Sequence, residues 1–129
     1  MRAAGALSLV TQKGVRLQAH RTASGRAMLA LLSDAEWRAA YATADPEGAP
    51  GYGDFKELLR QVRERGWAQE VEVVARGQES VGVAIVDHVG RPAAALAVTY
   101  PVGTASAEET AGQLIRAAAQ VSARMYGTA

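Results

Sequence analysis

The spacing of hydrophobic residues divides the chain into helical and strand-like stretches. Residues 22–32 are rich in Ala, Leu and Met, which favours a helix. Ser33 and Glu36 have the spacing of a capping box and predict the start of a second helix that runs to about Tyr41. Residues 44–53 hold two prolines and three glycines and therefore predict a loop.

A third helix is predicted over residues 54–65. Asp54 and Glu57 repeat the capping-box spacing, and Gly66 suits a left-handed helix end. One face of this helix is apolar and carries Phe55, Leu58, Leu59 and Val62.

Strand-like patterns follow in residues 67–75, 80–87 and 92–101, where short turns separate runs rich in β-branched residues. They predict three antiparallel strands with hairpin-like connections. Leu7 and Leu9 alternate with Ser8 and predict a further short strand near the N-terminus.

A long closing helix is predicted before Gly127. Ser106 and Glu109 have the third capping-box spacing of the chain. Small or apolar residues recur on one face of this helix, at Ala111, Leu114, Ile115, Ala118, Ser122 and Met125. The order of helices, strands and helix predicts an α+β fold, in which helices pack on a curved antiparallel sheet.

Composition narrows the possible function classes. The 129 residues are 49% hydrophobic and 21% charged, which is typical of one globular domain. The formal net charge is +1 and no basic stripe occurs, so DNA is not expected as a direct partner. The absence of cysteine excludes disulfides and thiolate catalysis. No apolar run reaches the roughly 18 residues of a membrane helix, and we expect a cytoplasmic protein with no membrane partner.

Catalysis is the weaker interpretation of the polar residues. Ser80, Asp87 and His88 are the residue types of a nucleophile, an orienting acid and a base. Adjacent strand residues point to opposite faces, however, so Asp87 is poorly placed to orient His88, and a turn is favoured. Glu70 and Glu72 share a strand face, but exposed carboxylates on a solvated face are commoner than an acid–base pair.

Cofactor and metal sites have no support in the sequence. The two histidines, His20 and His88, are 68 positions apart and lack a metal-binding spacing, so His20 is expected to be structural or to face a ligand. No glycine-rich segment leads from a strand into a helix, which excludes the usual phosphate loops. Trp37 and Trp67 are expected to anchor a core or an interface. We expect neither an enzyme nor a cofactor.

Three blocks of the sequence resemble one known family. Residues 17–32, LQAHRTASGRAMLALL, resemble the LPLHATAxGKALLA block of the effector-binding domain of IclR-family bacterial transcriptional regulators. Residues 62–101 are similar to the block that contains RxxGYA, dxEE and AAlsvsgP in that family, and the closing QVSARMYG resembles aaxxISxxLG. The blocks occur in the same order and at matching intervals, and the resemblance covers nearly all of residues 15–127.

The resemblance implies a GAF-like sensor domain, with helices on one side of the sheet and a small-molecule pocket between the TASG segment and the central strands. Family members also carry an N-terminal winged helix-turn-helix. We therefore expect residues 1–129 to be a single effector-binding domain, truncated at its N-terminal edge and without the DNA-binding segment.

The resemblance also implies eight ligand-contacting positions, which are Leu17, Ala23, Ser24, Glu70, Gln78, Ser80, Ala97 and Thr99. A helix start at Ser24 and Gly25 would present N–H groups that favour an anion. Helix capping is the alternative for Thr22 and Ser24, and it carries equal weight. Ser80 and Thr99 add hydroxyls, so we expect the ligand to be a small organic acid or a related oxygenated metabolite.

Several positions depart from the family pattern. Ser80 stands where a cysteine is frequent, Glu70 where an Asp is usual, Val73 where a second acidic residue occurs, and Ile85 where a proline occurs. The family's sGP turn is Thr99-Tyr100-Pro101 here. These differences concern the polarity of the pocket and the identity of the ligand more than the fold.

Two functions remain in view. In the first, a bound metabolite shifts a conformational or oligomeric equilibrium that an attached DNA-binding domain reads out, and the domain forms a homodimer or tetramer. In the second, the pocket is vestigial and the domain is an oligomerisation or interaction module that uses an exposed Trp37 or the closing helix. A hydrolase built on Ser80 ranks third.

Overall fold

The computed structural model describes residues 19–43 and 50–127, and in these ranges helices precede and follow a three-stranded sheet. The elements in chain order are a 3-10 turn at Ala19–Arg21, α1 at Ala23–Leu29, α2 at Asp34–Ala42, α3 at Tyr52–Arg65, β1 at Ala68–Val71, β2 at Gln78–Val86, β3 at Pro92–Pro101 and α4 at Ala107–Tyr126. The predicted α+β fold is confirmed. The predicted strand at residues 7–9 lies outside the described residues, as does the 44–49 part of the predicted loop.

The strands form an antiparallel sheet in the order β1-β2-β3. β1 is shorter than the predicted 67–75 strand because the chain turns after Val71. Glu72 adopts a left-handed backbone with a φ of 59°, and its carboxylate accepts the N–H of Gly77 at 3.0 Å. These contacts close a turn between β1 and β2 and end the strand.

β2 is buried on both faces, and each face meets different helices. On one face, Val81, Val83 and Ile85 belong to clusters that include Ala111 and Ala118 of α4. On the other face, Ala84 packs against a cluster from α1, α3 and β1 that consists of Ala27, Ala30, Val62 and Ala68. Helices therefore cover both faces of the sheet, whereas the resemblance implied helices on one side. The second face is covered because β2 also carries small and apolar residues there.

The helix starts follow the predicted caps at two places out of three. Ser33 accepts the N–H of Glu36 at 3.2 Å, and Glu36 accepts the N–H of Ser33 at 3.0 Å, so the capping box of α2 is complete. Ser106 accepts the N–H of Glu109 at 3.2 Å, which is one half of the box predicted for α4.

The cap predicted for the third helix is wrong. α3 begins at Tyr52, two residues before the predicted start, and its N-cap is Gly51 with no side-chain hydrogen bond. The N–H of Phe55 donates to the carbonyl of Gly51 at 2.9 Å, so the first helical turn already contains Asp54. Asp54 therefore lies inside the first turn, where its charge favours the positive end of the helix.

Trp37 is a core residue and not the exposed anchor that the interaction-module hypothesis required. It is 2% exposed and packs with Leu29, Phe55 and Leu59 between α1, α2 and α3. Its Nε1–H donates to the carbonyl of Leu29 at 2.6 Å, and the guanidinium of Arg63 lies 4.4 Å from the centre of its ring. None of the helices in the described ranges has the length and hydropathy required to cross a membrane.

Gly25 lets the 3-10 turn lie directly on α1. A Cβ at this position would collide with the carbonyl oxygen of Ala19, whose Cα would lie only 2.5 Å away. Gly112, inside α4, has ordinary space, since a Cβ there would meet only Nη1 of Arg116 at 3.8 Å. The two glycines have opposite consequences when a methyl group is added.

We expect Gly25→Ala to lower the free energy of unfolding by about 1–3 kcal/mol, because the added methyl forces the backbone of the turn away from α1. Gly112→Ala is the matched control and should raise it by about 0.5–1 kcal/mol, because alanine favours an open helix interior. Urea unfolding followed by circular dichroism measures both changes. Equal effects of the two substitutions would contradict the close approach at Gly25.

His20 is buried against the aromatic core, with 7% of its surface exposed. Its ring centre lies 6.3 Å from that of Phe55 in an edge-on arrangement, and its Nε2 has no hydrogen-bond partner among the described residues. Burial, followed by the positive charges of Arg21 and Arg26, lowers the pKa of His20 from its ordinary value of 6.5. The folded state therefore holds this imidazole neutral.

The lowered pKa of His20 predicts a loss of stability at mildly acidic pH. The unfolded chain binds the extra proton first, so this contribution is complete above about pH 6.5 and declines as the pH falls below that value. Between pH 7.5 and 5.5 the melting temperature should fall more steeply for the parent protein than for His20→Gln. His88→Gln, at an exposed histidine, should keep the parent slope. If the melting temperature of His20→Gln falls with pH as steeply as that of the parent protein, the pH dependence does not come from His20.

Candidate functional site

Three predicted site residues form one row across the sheet. Glu70 of β1 pairs with Ser80 of β2, and Ser80 pairs with Thr99 of β3. Paired residues project from the same face, and neighbouring strands lie about 4.8 Å apart. The hydroxyl oxygens of Ser80 and Thr99 are 2.8 Å apart and share a hydrogen bond. We call Glu70, Ser80 and Thr99 the polar row.

The other predicted sheet residues lie on the same face as the polar row. Gln78 is two residues before Ser80 on β2 and pairs with Pro101. Ala97 is two residues before Thr99 on β3, pairs with Gly82 and is exposed. Alternate residues of a strand share a face, so the sheet brings together all five of its predicted site residues. Leu17, the remaining predicted wall, lies outside the described residues.

The start of α1 packs beside this face because residue 82 is a glycine. A Cβ on Gly82 would lie 2.8 Å from the carbonyl carbon of Ala23 and 3.0 Å from the nitrogen of Ser24. The structure therefore places Ala23 and Ser24 next to the row, as predicted for ligand-contacting positions. The contribution of Gly82 was missed from the sequence, although a lone glycine inside a strand pattern is the usual sign of a close backbone approach.

Glu70 is buried, and this contradicts the expectation of two exposed carboxylates on one strand face. It is 3% exposed, and its Oε2 accepts the N–H of Val73 at 3.0 Å. Glu72 lies beyond the end of β1, in the turn, and bonds Gly77 there. The two carboxylates have separate backbone partners and do not form an acid–base pair.

Arg26 reaches the polar row from α1. Its Nε donates to the carbonyl of His20 at 2.8 Å, and its Nη1 donates to the carbonyl of Gln69, the neighbour of Glu70, at 2.6 Å. Burial lowers the pKa of Arg26, and the negative charge of Glu70 opposes that change. The guanidinium therefore contacts the residue next to Glu70 at one end of the site, and among the described residues it forms no ion pair with the Glu70 carboxylate.

Arg26 was not among the residues predicted from the sequence, although its spacing along α1 indicates a core-facing position. It follows Ala23 by three positions and precedes Ala30 by four, so it lies on the stripe of α1 that faces the core. A charged residue in such a stripe requires buried partners, and here backbone carbonyls supply them.

One of the two N–H groups that were predicted to favour an anion at the start of α1 is already bonded. The N–H of Gly25 donates to Oγ1 of Thr22 at 2.9 Å, so helix capping by Thr22 is what the structure has. Positive charge reaches the site from the side chain of Arg26 and not from this backbone N–H.

The residues of the hydrolase hypothesis are not brought together. Ser80 bonds Thr99 in the middle of the sheet, whereas Asp87 accepts the N–H groups of Val89 and Arg91, both at 3.0 Å, in the turn between β2 and β3. Seven residues of extended strand separate Ser80 from Asp87 by about 23 Å. The predicted turn at Asp87 and His88 is confirmed. Within the described ranges, no three His, Cys, Asp or Glu side chains are grouped to hold a metal ion.

Two cavities formed by described residues lie at the other end of β2, away from the polar row. Their volumes are about 360 and 210 Å3, and Gly66, Ala84 and Val86 line both. The larger is closed by the second half of α4, and the smaller by α1 and α3. Neither is lined by any of the seven predicted site residues that the structure describes.

Known proteins resemble the whole described fold. Residues 2–123 match the family model described as bacterial transcriptional regulator IclR C-terminal. The chain is 33% identical over 91 residues to the HTH-type transcriptional regulator XynR of Escherichia coli (strain K12). The matched stretch covers 67% of this chain and 36% of that protein.

Solved structures give the same result. The Agobacterium tumefaciens repressor BlcR aligns with 92% of this chain and 51% of its own, at 25% identity and a TM-score of 0.78. The Thermotoga maritima IclR aligns with 93% of this chain and 51% of its own, again at 25% identity and a TM-score of 0.78. These C-terminal domains have the GAF-like fold, and this chain spans about half the length of the proteins it matches. The chain thus belongs to the IclR family of bacterial transcriptional regulators and corresponds to the C-terminal domain of that family.

Proposed function

We propose that this domain senses a small-molecule effector through the face that carries the polar row. The observation that supports this most directly is the row of polar side chains on one sheet face beside the start of α1, where Glu70 and Ser80 are buried and Thr99 is half-buried. Buried polar groups of this kind are costly to maintain for stability alone, whereas a few convergent polar groups are typical of ligand sites.

The hydrogen-bonding groups favour a bifunctional ligand. Glu70 in its charged form only accepts hydrogen bonds, so it selects a hydroxyl, amide or amine on the ligand. Ser80 and Thr99 use one hydrogen in the bond between them and keep a second for a carbonyl or carboxylate oxygen. The positive charge of Arg26 also favours an acidic group. A small hydroxy, amino or keto acid satisfies these groups. Ala97 would form one apolar wall of the site, and Leu17 would form another, as the resemblance implies.

We expect binding at this face to affect the rest of the regulator. Arg26 joins the 3-10 turn, α1 and β1, so a ligand beside α1 on this sheet face changes contacts in three elements. We infer that the effector shifts an equilibrium between conformations or oligomeric states, which a DNA-binding segment of the full-length protein reads out. Stable ligand-independent assembly would favour the interaction module.

We expect a screen of small hydroxy, amino and keto acids to find a ligand that stabilises the 129-residue chain. At one hundred times its dissociation constant the ligand adds about 2.7 kcal/mol, which raises the melting temperature by several degrees. Thr99→Val removes a hydroxyl from the polar row at constant shape and should abolish most of that rise. Val98→Thr, the reverse exchange on the opposite face of the same strand, should leave it intact.

Two further variants sharpen the test. Ser24→Leu should block the site by bulk, and Glu70→Gln should change which ligands give the stabilisation, because an amide also donates hydrogen bonds. The proposal fails if the screen yields no rise, or if the rise survives both Thr99→Val and Ser24→Leu. The interaction module is then the better account.

Self-association is the second expectation for this domain. Light scattering should give a dimer or a tetramer of the 13.5 kDa chain, because members of closed assemblies bury surface that a single copy leaves exposed. The same measurement with the ligand tells whether the oligomeric equilibrium is the one that responds. A strict monomer at high concentration, with and without ligand, would contradict this expectation.

A further inference from the structure

A second group of polar side chains lies on the opposite face of the sheet, under α4. Glu79 of β2 pairs with Tyr100 of β3, in the positions next to Ser80 and Thr99. Their side chains therefore project to the other face from the polar row. Nε2 of Gln69 donates to Oε2 of Glu79 at 2.9 Å. We call Gln69, Glu79, Tyr100 and Glu108 the α4-side cluster.

Tyr100 has a hydroxyl with no hydrogen-bond partner among the described residues. The residue is 7% exposed and packs with Val81 and Ala111, and Ala107 closes the same apolar cluster. Glu108 follows Ala107 in the first turn of α4. Burial raises the pKa of Tyr100, and the negative charges of Glu79 and Glu108 raise it further. Glu79 shares the sheet face of Tyr100 through their strand pairing, and the exposed Glu108 lies in the first turn of the helix that covers this face.

Among the described residues, no cation forms an ion pair with a carboxylate of the cluster. Glu79 is 7% exposed and belongs to neither of the two ion pairs formed by described residues. Arg65 is attracted by Glu108, but its guanidinium lies 4.0 Å from the ring centre of Trp67 and donates to the carbonyl of that residue at 2.8 Å. A buried carboxylate without a cation is costly, and a buried phenol without a partner adds to that cost.

We propose that Glu79, Glu108 and Tyr100 form a second binding site, separate from the polar row, for a primary ammonium group. An ammonium has three hydrogen-bond donors, no acceptor and one positive charge. Two carboxylates and a phenol oxygen supply acceptors for its three N–H groups, and the added positive charge offsets one of the two negative charges. A hard metal ion fits less well, because it requires about six oxygen ligands and the amide nitrogen of Gln69 faces Glu79.

Two sources supply this chemistry, a small free amine and the lysine side chain of a protein. Butylammonium is the probe for the first, and Nα-acetyl-lysine methylamide is the probe for the second. Tetramethylammonium has the same charge but no N–H donor and is the control. All three are titrated into the 129-residue chain at constant ionic strength, with the ring signals of its four tyrosines followed by NMR.

Butylammonium should bind saturably and shift the Tyr100 signals, which Tyr100→Phe identifies by their absence. Tetramethylammonium should bind at least about tenfold more weakly, because hydrogen bonds to charged groups carry most of the affinity. Comparable binding of the lysine probe indicates a site open to protein side chains. Binding of butylammonium alone indicates a site for free amines.

Variants separate this site from general attraction of cations. Glu79→Gln keeps the shape of the side chain and should weaken butylammonium binding by about tenfold or more. Glu109→Gln removes the same charge from an exposed position in the same helical turn and should change binding by less than about twofold, as is usual for exposed charges. Tyr100→Phe keeps the ring in its core and should weaken binding several-fold, with no loss of melting temperature.

The proposal is overturned if tetramethylammonium binds as well as butylammonium, or if Glu79→Gln and Glu109→Gln have equal effects. Absence of saturable binding by both ammonium probes also overturns it. Glu79 and Tyr100 lie on the opposite face from the polar row, so the Tyr100 signals and the effect of Glu79→Gln report on this site and not on the effector proposal.

Discussion

The close approach of α1 to the sheet is the constraint on which the site depends. Gly25 lets the backbone of the 3-10 turn lie on α1, and Gly82 lets the backbone of α1 lie on β2. No side chain separates these three layers, so their spacing is set by backbone contact and changes little. Arg26 then joins the turn to β1 from the side. This stack determines where Ser24 lies relative to the polar row.

The middle strand has a polar position at the same end on both of its faces. Glu79 and Ser80 are adjacent in β2, and each is paired with a polar residue of β3, Tyr100 and Thr99. One pair lies under α4 and the other lies beside α1. A shift of β2 by one residue would exchange the faces of both pairs and bury the wrong groups, so the polar residues help to fix the register of the sheet.

Local patterns predicted most of the fold, because they depend on spacing along the chain. The Ser33 box, the alternation in β2 and the turn at Asp87 are of this kind. The burial of Glu70 was not predictable in this way, because it depends on a turn that begins at Glu72 and on the arrival of α1 from a distant part of the chain. The family resemblance implied the candidate site positions, but not the guanidinium of Arg26 beside them.

The hydrogen bond between Ser80 and Thr99 runs in either direction, since each hydroxyl both donates and accepts. Reversing it moves the remaining hydrogen from one oxygen to the other, so the pair meets a carbonyl or a hydroxyl with similar ease. Redox partners such as a keto acid and its alcohol therefore look alike to these two residues. Under the proposed function, discrimination between them would fall to Glu70, which accepts from the alcohol and repels the carbonyl oxygen, so a single side chain would sense the oxidation state of the effector.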